Sequence, residues 1–122
     1  MDILFFQRAL QTLNFRPAVH QVTTAEHAWS FLESAQSNKI VVVTDLRLPG
    51  MGGLELLRQI REHEKLCTTP VFVLSSSEDK MDVLTAYKLG VSGYLVKNDS
   101  GMDLADKLRG LFFLVESITF PP

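Results

Sequence analysis

The stretch Ile40–Arg61, IVVVTDLRLPGMGGLELLRQIR, decides how the rest of the chain is read. It opens with Ile40, Val41, Val42 and Val43, four β-branched apolar residues in succession, and then Thr44. A strand with one wet face alternates apolar and polar residues. An unbroken apolar run marks a strand covered on both faces, so Ile40–Thr44 is predicted to be a central strand. Pro49-Gly50-Met51-Gly52-Gly53 predicts a turn, and a helical pattern follows through Glu64.

Working downstream, Val71–Leu74 is a second apolar strand entered from Pro70. Asp79–Leu89 reads as a helix closed by Gly90, Gly93–Val96 as a short strand, and about Met102 to Glu116 as a last amphipathic helix. Upstream, Ile3, Phe6, Leu10 and Leu13 fall near a 3.6-residue period and predict a helix from Asp2 to about Asn14. Pro17 punctuates the chain, and Ala18–Val22 alternates enough for a short strand. Ala25–Ser34 is amphipathic, with Thr24 placed to cap it. Strands alternating with helices imply crossovers and a doubly wound α/β parallel sheet with helices on both faces. Reactive groups in such folds collect at the carboxyl ends of the strands, which places Asp45, Ser75 and Lys97 together.

The bulk properties bound the rest. The 122 residues suit one domain, 1–122, and 46% hydrophobic with 21% charged residues is a globular composition. A formal net charge of −2 supplies no field for nucleic acid or anionic lipid, so neither is expected as a partner. Apolar runs stop well short of the roughly 20 residues of a membrane span. The opening MDILFFQRAL lacks a secretory leader, and the single cysteine, Cys67, has no internal disulfide partner, so a cytoplasmic location is expected. His20, His27 and His63 do not form a metal-spaced pair, and Cys67 has no obvious base beside it. Gly50, Gly52 and Gly53 match neither a dinucleotide nor a P-loop fingerprint. Phe112 and Phe113, with Leu108, Leu111 and Val115, read as core and interface.

An Asp after a strand can simply start a turn, a Ser can belong to a polar loop, and a Lys can be a surface charge. The order and spacing of these residues add to that reading. The segment VVVTDLRLPGMGGLELLRQIR closely resembles the phosphoacceptor region of response-regulator receiver domains, the CheY-like family. Ser75 follows Asp45 by 30 residues in VFVLSSS, and Lys97 follows Ser75 by 22 in GVSGYLVK, where the family carries a hydroxyl residue and a lysine. Tyr94, three positions before Lys97, occupies the place of the family's conformational reporter. The resemblance runs over essentially the whole chain and implies a flavodoxin-like fold.

It also implies a function and no enzymatic activity. Asp45 would accept a phosphoryl group from a sensor histidine kinase or phosphotransfer protein, forming an acyl phosphate. Lys97 would pair with the phosphoryl oxygens, the Ser75 hydroxyl would hydrogen-bond to one of them, and Tyr94 would fill the space that Ser75 vacates. The signal would leave through protein contacts, either with a downstream target or within a homodimer. The alternative is a degenerate, phosphorylation-independent interaction module.

The sequence departs from the family in two places. A receiver opens with an apolar strand ending in acidic residues that hold Mg²⁺, whereas MDILFFQRALQTL resembles the helix that follows that strand, and no acidic pair precedes Asp45. Losing such a strand would remove on the order of 10 kcal/mol. The expected explanations are a misassigned or truncated start, a strand supplied by a partner chain, or Asp2–Phe6 forming the strand itself. Asp45 and the backbone carbonyl of Arg47 remain as candidate Mg²⁺ ligands, and weak binding with poor or no phosphorylation is expected. Asn98 stands where the family has a proline, so the Lys97–Asn98 peptide is expected to be trans.

Overall fold

The computed structural model describes residues 22–35, 40–47, 51–97 and 104–121. Along these the elements run α1 (Ala25–Ser34), β1 (Val42–Asp45), α2 (Gly53–Glu62), β2 (Val71–Ser75), α3 (Lys80–Lys88), β3 (Gly93–Val96) and α4 (Leu104–Ser117). The three strands form one parallel sheet in the order β1-β2-β3, with Val42 opposite Val71 and Phe72 opposite Gly93. The predicted helix from Asp2 to Asn14, most of the predicted strand Ala18–Val22, and the Lys97–Asn98 peptide lie outside the described residues. Val22 itself is not in a strand.

Burial explains the apolar runs. All five residues of β2 are buried, and its four apolar residues divide by parity between two cores. Val71 and Val73 pack with Ala25 and Leu32 of α1, Leu56, Leu57 and Ile60 of α2, and Ala86 of α3. Phe72 and Leu74 pack with Leu104, Leu108, Leu111 and Phe112 of α4. Side chains alternate across a strand, so a strand with helices on both faces is apolar along its length, and in β2 the one polar residue is Ser75 at its carboxyl end. Each Val or Leu so buried contributes about 1.5–3 kcal/mol. Phe112 joins this core at 8% exposure, whereas Phe113 is 73% exposed and takes no part in it, because one residue around a helix turns the side chain away.

Element ends differ from the sequence expectations for local reasons. β1 starts at Val42, not Ile40, because its ladder opens opposite Val71, next to Pro70, which has no N–H with which to extend it. It runs on through Asp45, just as β2 runs through Ser75. α2 stops at Glu62, short of Glu64, where His63 turns extended and its Nδ1 accepts the N–H groups of Lys65 and Leu66 at 3.1 and 3.2 Å. The His63 and Trp29 rings meet edge to face with 5.6 Å between centroids. Asp79 is the N-cap of α3, accepting from the Met81 and Asp82 N–H groups at 2.8 and 3.2 Å, and Leu89 caps its other end. Thr24 caps α1 as expected, accepting from His27 N–H at 3.1 Å.

At the amino ends of β2 and β3 a half-buried arginine ties the connections together. Arg61, at the end of α2, donates through Nε to the Gly90 carbonyl at 2.9 Å and through one terminal nitrogen to the Cys67 and Thr69 carbonyls at 3.0 and 2.6 Å. Gly90 has φ +92°, and a Cβ there would press on the Arg61 side chain at 3.0 Å. No described helix is long and apolar enough to cross a membrane.

Candidate functional site

Parallel register brings the strand ends together. Asp45 stands opposite Leu74, Ser75 opposite Val96, and Lys97 follows directly, its N–H donating to the Ser75 carbonyl at 2.8 Å. From there the Lys97 ammonium reaches across β2 to Asp45, with Nζ 2.6 Å from Oδ2. The two side chains are 13% and 20% exposed, so the pair is shielded from bulk water yet open on one side. Burial, the largest single influence on the Asp45 carboxyl, pushes its pKa up, but the hydrogen bond and charge of Lys97 act against it and the net direction is below the ordinary 3.8. Asp45 is therefore an ionised carboxylate at neutral pH.

The backbone of Asp45 is held as closely as its side chain. The Thr44 hydroxyl donates to the Asp45 carbonyl at 3.0 Å, and the Gly53 N–H donates to the Leu46 carbonyl at 3.0 Å. Gly53, the first residue of α2, lies so near that a Cβ on it would sit 1.9 Å from the Asp45 carbonyl oxygen. Gly52 before it has φ +84°, a conformation that suits glycine. The two glycines thus let α2 start directly beneath Asp45.

Ser75 is 3% exposed, and its Oγ accepts from the Ser77 N–H at 3.1 Å. Tyr94 lies half-buried along the first core, and its hydroxyl donates to the Ser77 carbonyl at 2.9 Å. Asp45, Ser75 and Lys97 thus share one end of the sheet, and Tyr94 reaches the loop after Ser75 rather than the Asp45–Lys97 pair. The Lys107 ammonium of α4 bonds to the Val96 carbonyl, tethering that helix beside Lys97.

Arg47 leaves β1 two residues after Asp45, and its 77% exposed side chain turns toward α3, where it lies 3.4 Å from Asp82 Oδ2. The Ser77 hydroxyl donates to the same oxygen at 2.7 Å. The Met51 N–H donates to Glu26 Oε1 of α1 at 3.0 Å. Sequence reasoning marks none of Glu26, Gly53, Ser77 and Asp82 as part of the site. Gly53 leaves a trace in the paired glycines, but the other three depend on contacts between segments far apart in the chain. Asp45 and the Arg47 carbonyl are hard oxygen donors of the kind Mg²⁺ takes. Among the described residues no three His, Cys, Asp or Glu side chains gather as a metal site.

Comparison with known proteins agrees with this fold. The model of the response regulator receiver domain family matches residues 2–109. A chemotaxis protein CheY homolog of Campylobacter jejuni is 37% identical over 111 residues, which span 88% of this chain and 85% of that protein. Among solved structures, the phosphorylated cyanobacterial phytochrome response regulator RcpA superposes with a TM-score of 0.81 at 26% identity, covering 99% of this chain and 94% of that one. The Mn²⁺-bound form of the response regulator Rcp1 gives 0.80 at 26% identity over the same shares. The strand-end carboxylate and lysine, the doubly covered parallel sheet and these likenesses lead to one conclusion: the chain belongs to the response regulator receiver domain family and acts as a response regulator in two-component signal transduction.

Proposed function

We propose that Asp45 is the phosphoacceptor of this receiver and that the whole chain, 1–122, works as one non-enzymatic signalling domain in the cytoplasm. The observation that carries this reading is the Lys97–Asp45 contact of 2.6 Å at the carboxyl end of the sheet. An ionised Asp45 oxygen attacks the phosphorus of a phosphohistidine on a sensor kinase or phosphotransfer protein. The new O–P bond forms as the P–N bond breaks, and the released imidazole nitrogen takes a proton from solvent. Such a transfer needs mainly positioning and charge stabilisation from the protein. The Lys97 ammonium supplies a cation where charge on the phosphoryl oxygens must be offset. The Ser75 hydroxyl hydrogen-bonds to a phosphoryl oxygen, and Tyr94, tied to the same loop through Ser77, carries the change toward the face formed by α3, β3 and α4. Output then passes to a protein target.

That Rcp1 has a Mn²⁺-bound form supports divalent-ion binding by this chain. Asp45 and the Arg47 carbonyl would hold Mg²⁺, weakly if they are its main protein ligands. When bound, the ion offsets negative charge on the transferring group.

The test is incubation with Mg²⁺ and a small phosphodonor, followed by intact mass. Slow gain of a single phosphoryl group is expected, abolished by Asp45→Ala and strongly slowed by Lys97→Ala. Modification that persists in Asp45→Ala, or a wild-type protein that takes up no phosphoryl group from either a small donor or a phosphorylated kinase, would leave only the phosphorylation-independent module.

A further inference from the structure

The contacts that join the loop after β1 to α3 are not needed to hold Lys97 against Asp45, and they converge on one atom. Asp82, in the first turn of α3, receives the Ser77 hydroxyl at 2.7 Å on Oδ2 and has the Arg47 guanidinium 3.4 Å from that same oxygen. Ser77 in turn donates its N–H to the Ser75 hydroxyl and accepts the Tyr94 hydroxyl on its carbonyl, at 3.1 and 2.9 Å. A single carboxylate oxygen therefore links the loop that follows Asp45, the loop that follows Ser75 and, through Ser77, the Tyr94 ring.

We infer that Asp82 is a positioning residue whose carboxylate latches Arg47 and Ser77 in the resting arrangement and opposes the change that a phosphoryl group on Asp45 drives. This inference rests on Asp45 being the phosphoacceptor. Phosphorylation replaces one carboxylate charge with a more highly charged group only two residues from Arg47, and a guanidinium pairs well with phosphoryl oxygens. The Arg47 side chain is 77% exposed and that of Asp82 24%, so the pair is weak enough for a nearby anion to break. Once Arg47 turns away, Asp82 Oδ2 keeps only the Ser77 hydroxyl, and the loop that carries Ser77, with its bonds to Ser75 and Tyr94, is no longer tied through Asp82 to the loop after Asp45. Coupling between sites is reciprocal, so a bridge that resists the phosphorylated state also weakens binding of a phosphoryl mimic by the same factor.

The experiment titrates the full chain with beryllium fluoride at saturating Mg²⁺ and follows backbone amide resonances in wild type, Asp82→Asn, Arg47→Gln and the double variant. Asparagine still accepts from the Ser77 hydroxyl and removes only the charge. Asp82→Asn is expected to bind the mimic about two- to fivefold more tightly, the range an exposed ion pair allows. Its free-state Ser77 and Tyr94 resonances should move part of the way toward the bound wild-type positions, Asp82→Glu should restore wild-type behaviour, and Arg47→Gln should cancel most of the gain. Unchanged or weaker binding in Asp82→Asn, with wild type binding normally, overturns the latch alone. If neither protein binds the mimic, the phosphoacceptor reading fails as well.

Discussion

Two partly buried cations sit at opposite ends of the same sheet, and they are held in different ways. At the carboxyl end, Lys97 faces a carboxylate, Asp45, whose charge the proposed chemistry alters. At the amino end, Arg61 donates to the Cys67, Thr69 and Gly90 carbonyls, dipoles that no reaction touches. Burial lowers the Arg61 pKa, yet an arginine keeps its charge, and three carbonyls offset part of the lost hydration. A cation bound to backbone dipoles braces connections, whereas one bound to a titratable, modifiable carboxylate can report a change. Residue type and burial alone would not separate the two; the partner does.

The contrast can be broken most severely at Gly53. Gly53→Ala must displace either α2 or the Asp45 backbone, because its Cβ would fall 1.9 Å from the Asp45 carbonyl oxygen. A loss of about 3 kcal/mol or more in urea unfolding is expected, together with loss of phosphorylation, since stability and site share that contact. Arg61→Leu should cost about 2–3 kcal/mol by stranding its carbonyl partners while leaving the rate of phosphorylation of the folded protein nearly unchanged. Lys97→Met should do the opposite, costing only about 1–2 kcal/mol because the pair is partly open to water, but abolishing most phosphoryl transfer.

The smallest effect is a dependence on pH. Asp45, held below its ordinary 3.8, binds fewer protons folded than unfolded, so its contribution is complete above that value and fades as the pH falls through the folded pKa. The stability difference between wild type and Lys97→Met should therefore narrow in acid, as measured by urea midpoints. No such narrowing is expected at the amino end: the difference between wild type and Arg61→Leu should persist through the same range, since neither the guanidinium nor its carbonyl partners titrate there.

Much of this architecture is legible in advance. Ile40–Thr44 reads as a strand covered on both faces and Val71–Leu74 as a second apolar strand, and the structure places Val42 and Val73 on one face and Val43, Phe72 and Leu74 on the other. Ala25–Ser34 and Gly93–Val96 have the predicted bounds. Errors gather at ends, as at Glu64 and Ile40, where a side-chain acceptor such as His63 Nδ1 or the N–H missing from Pro70 decides where an element stops. Asp45, Ser75 and Lys97 are legible as strand-end residues, because topology alone sends the carboxyl ends of parallel strands to one edge.

By itself, then, the sequence determined the alternation of elements, the strands that must be covered on both faces, and the three residues delivered to the reactive edge. These follow from periodicity and chain direction, which are local properties. Only the tertiary structure decided that Lys97 reaches Asp45 across β2, that Gly53 must lack a Cβ because the Asp45 carbonyl occupies its place, and that Arg47 and Ser77 meet on Asp82. Those facts depend on distances between segments separated by 35 residues in the case of Arg47 and Asp82 and by 52 in the case of Asp45 and Lys97, and no local pattern encodes such a distance. Asp45 is marked by its place at the end of a strand; what can happen there is set by the groups that packing brings beside it.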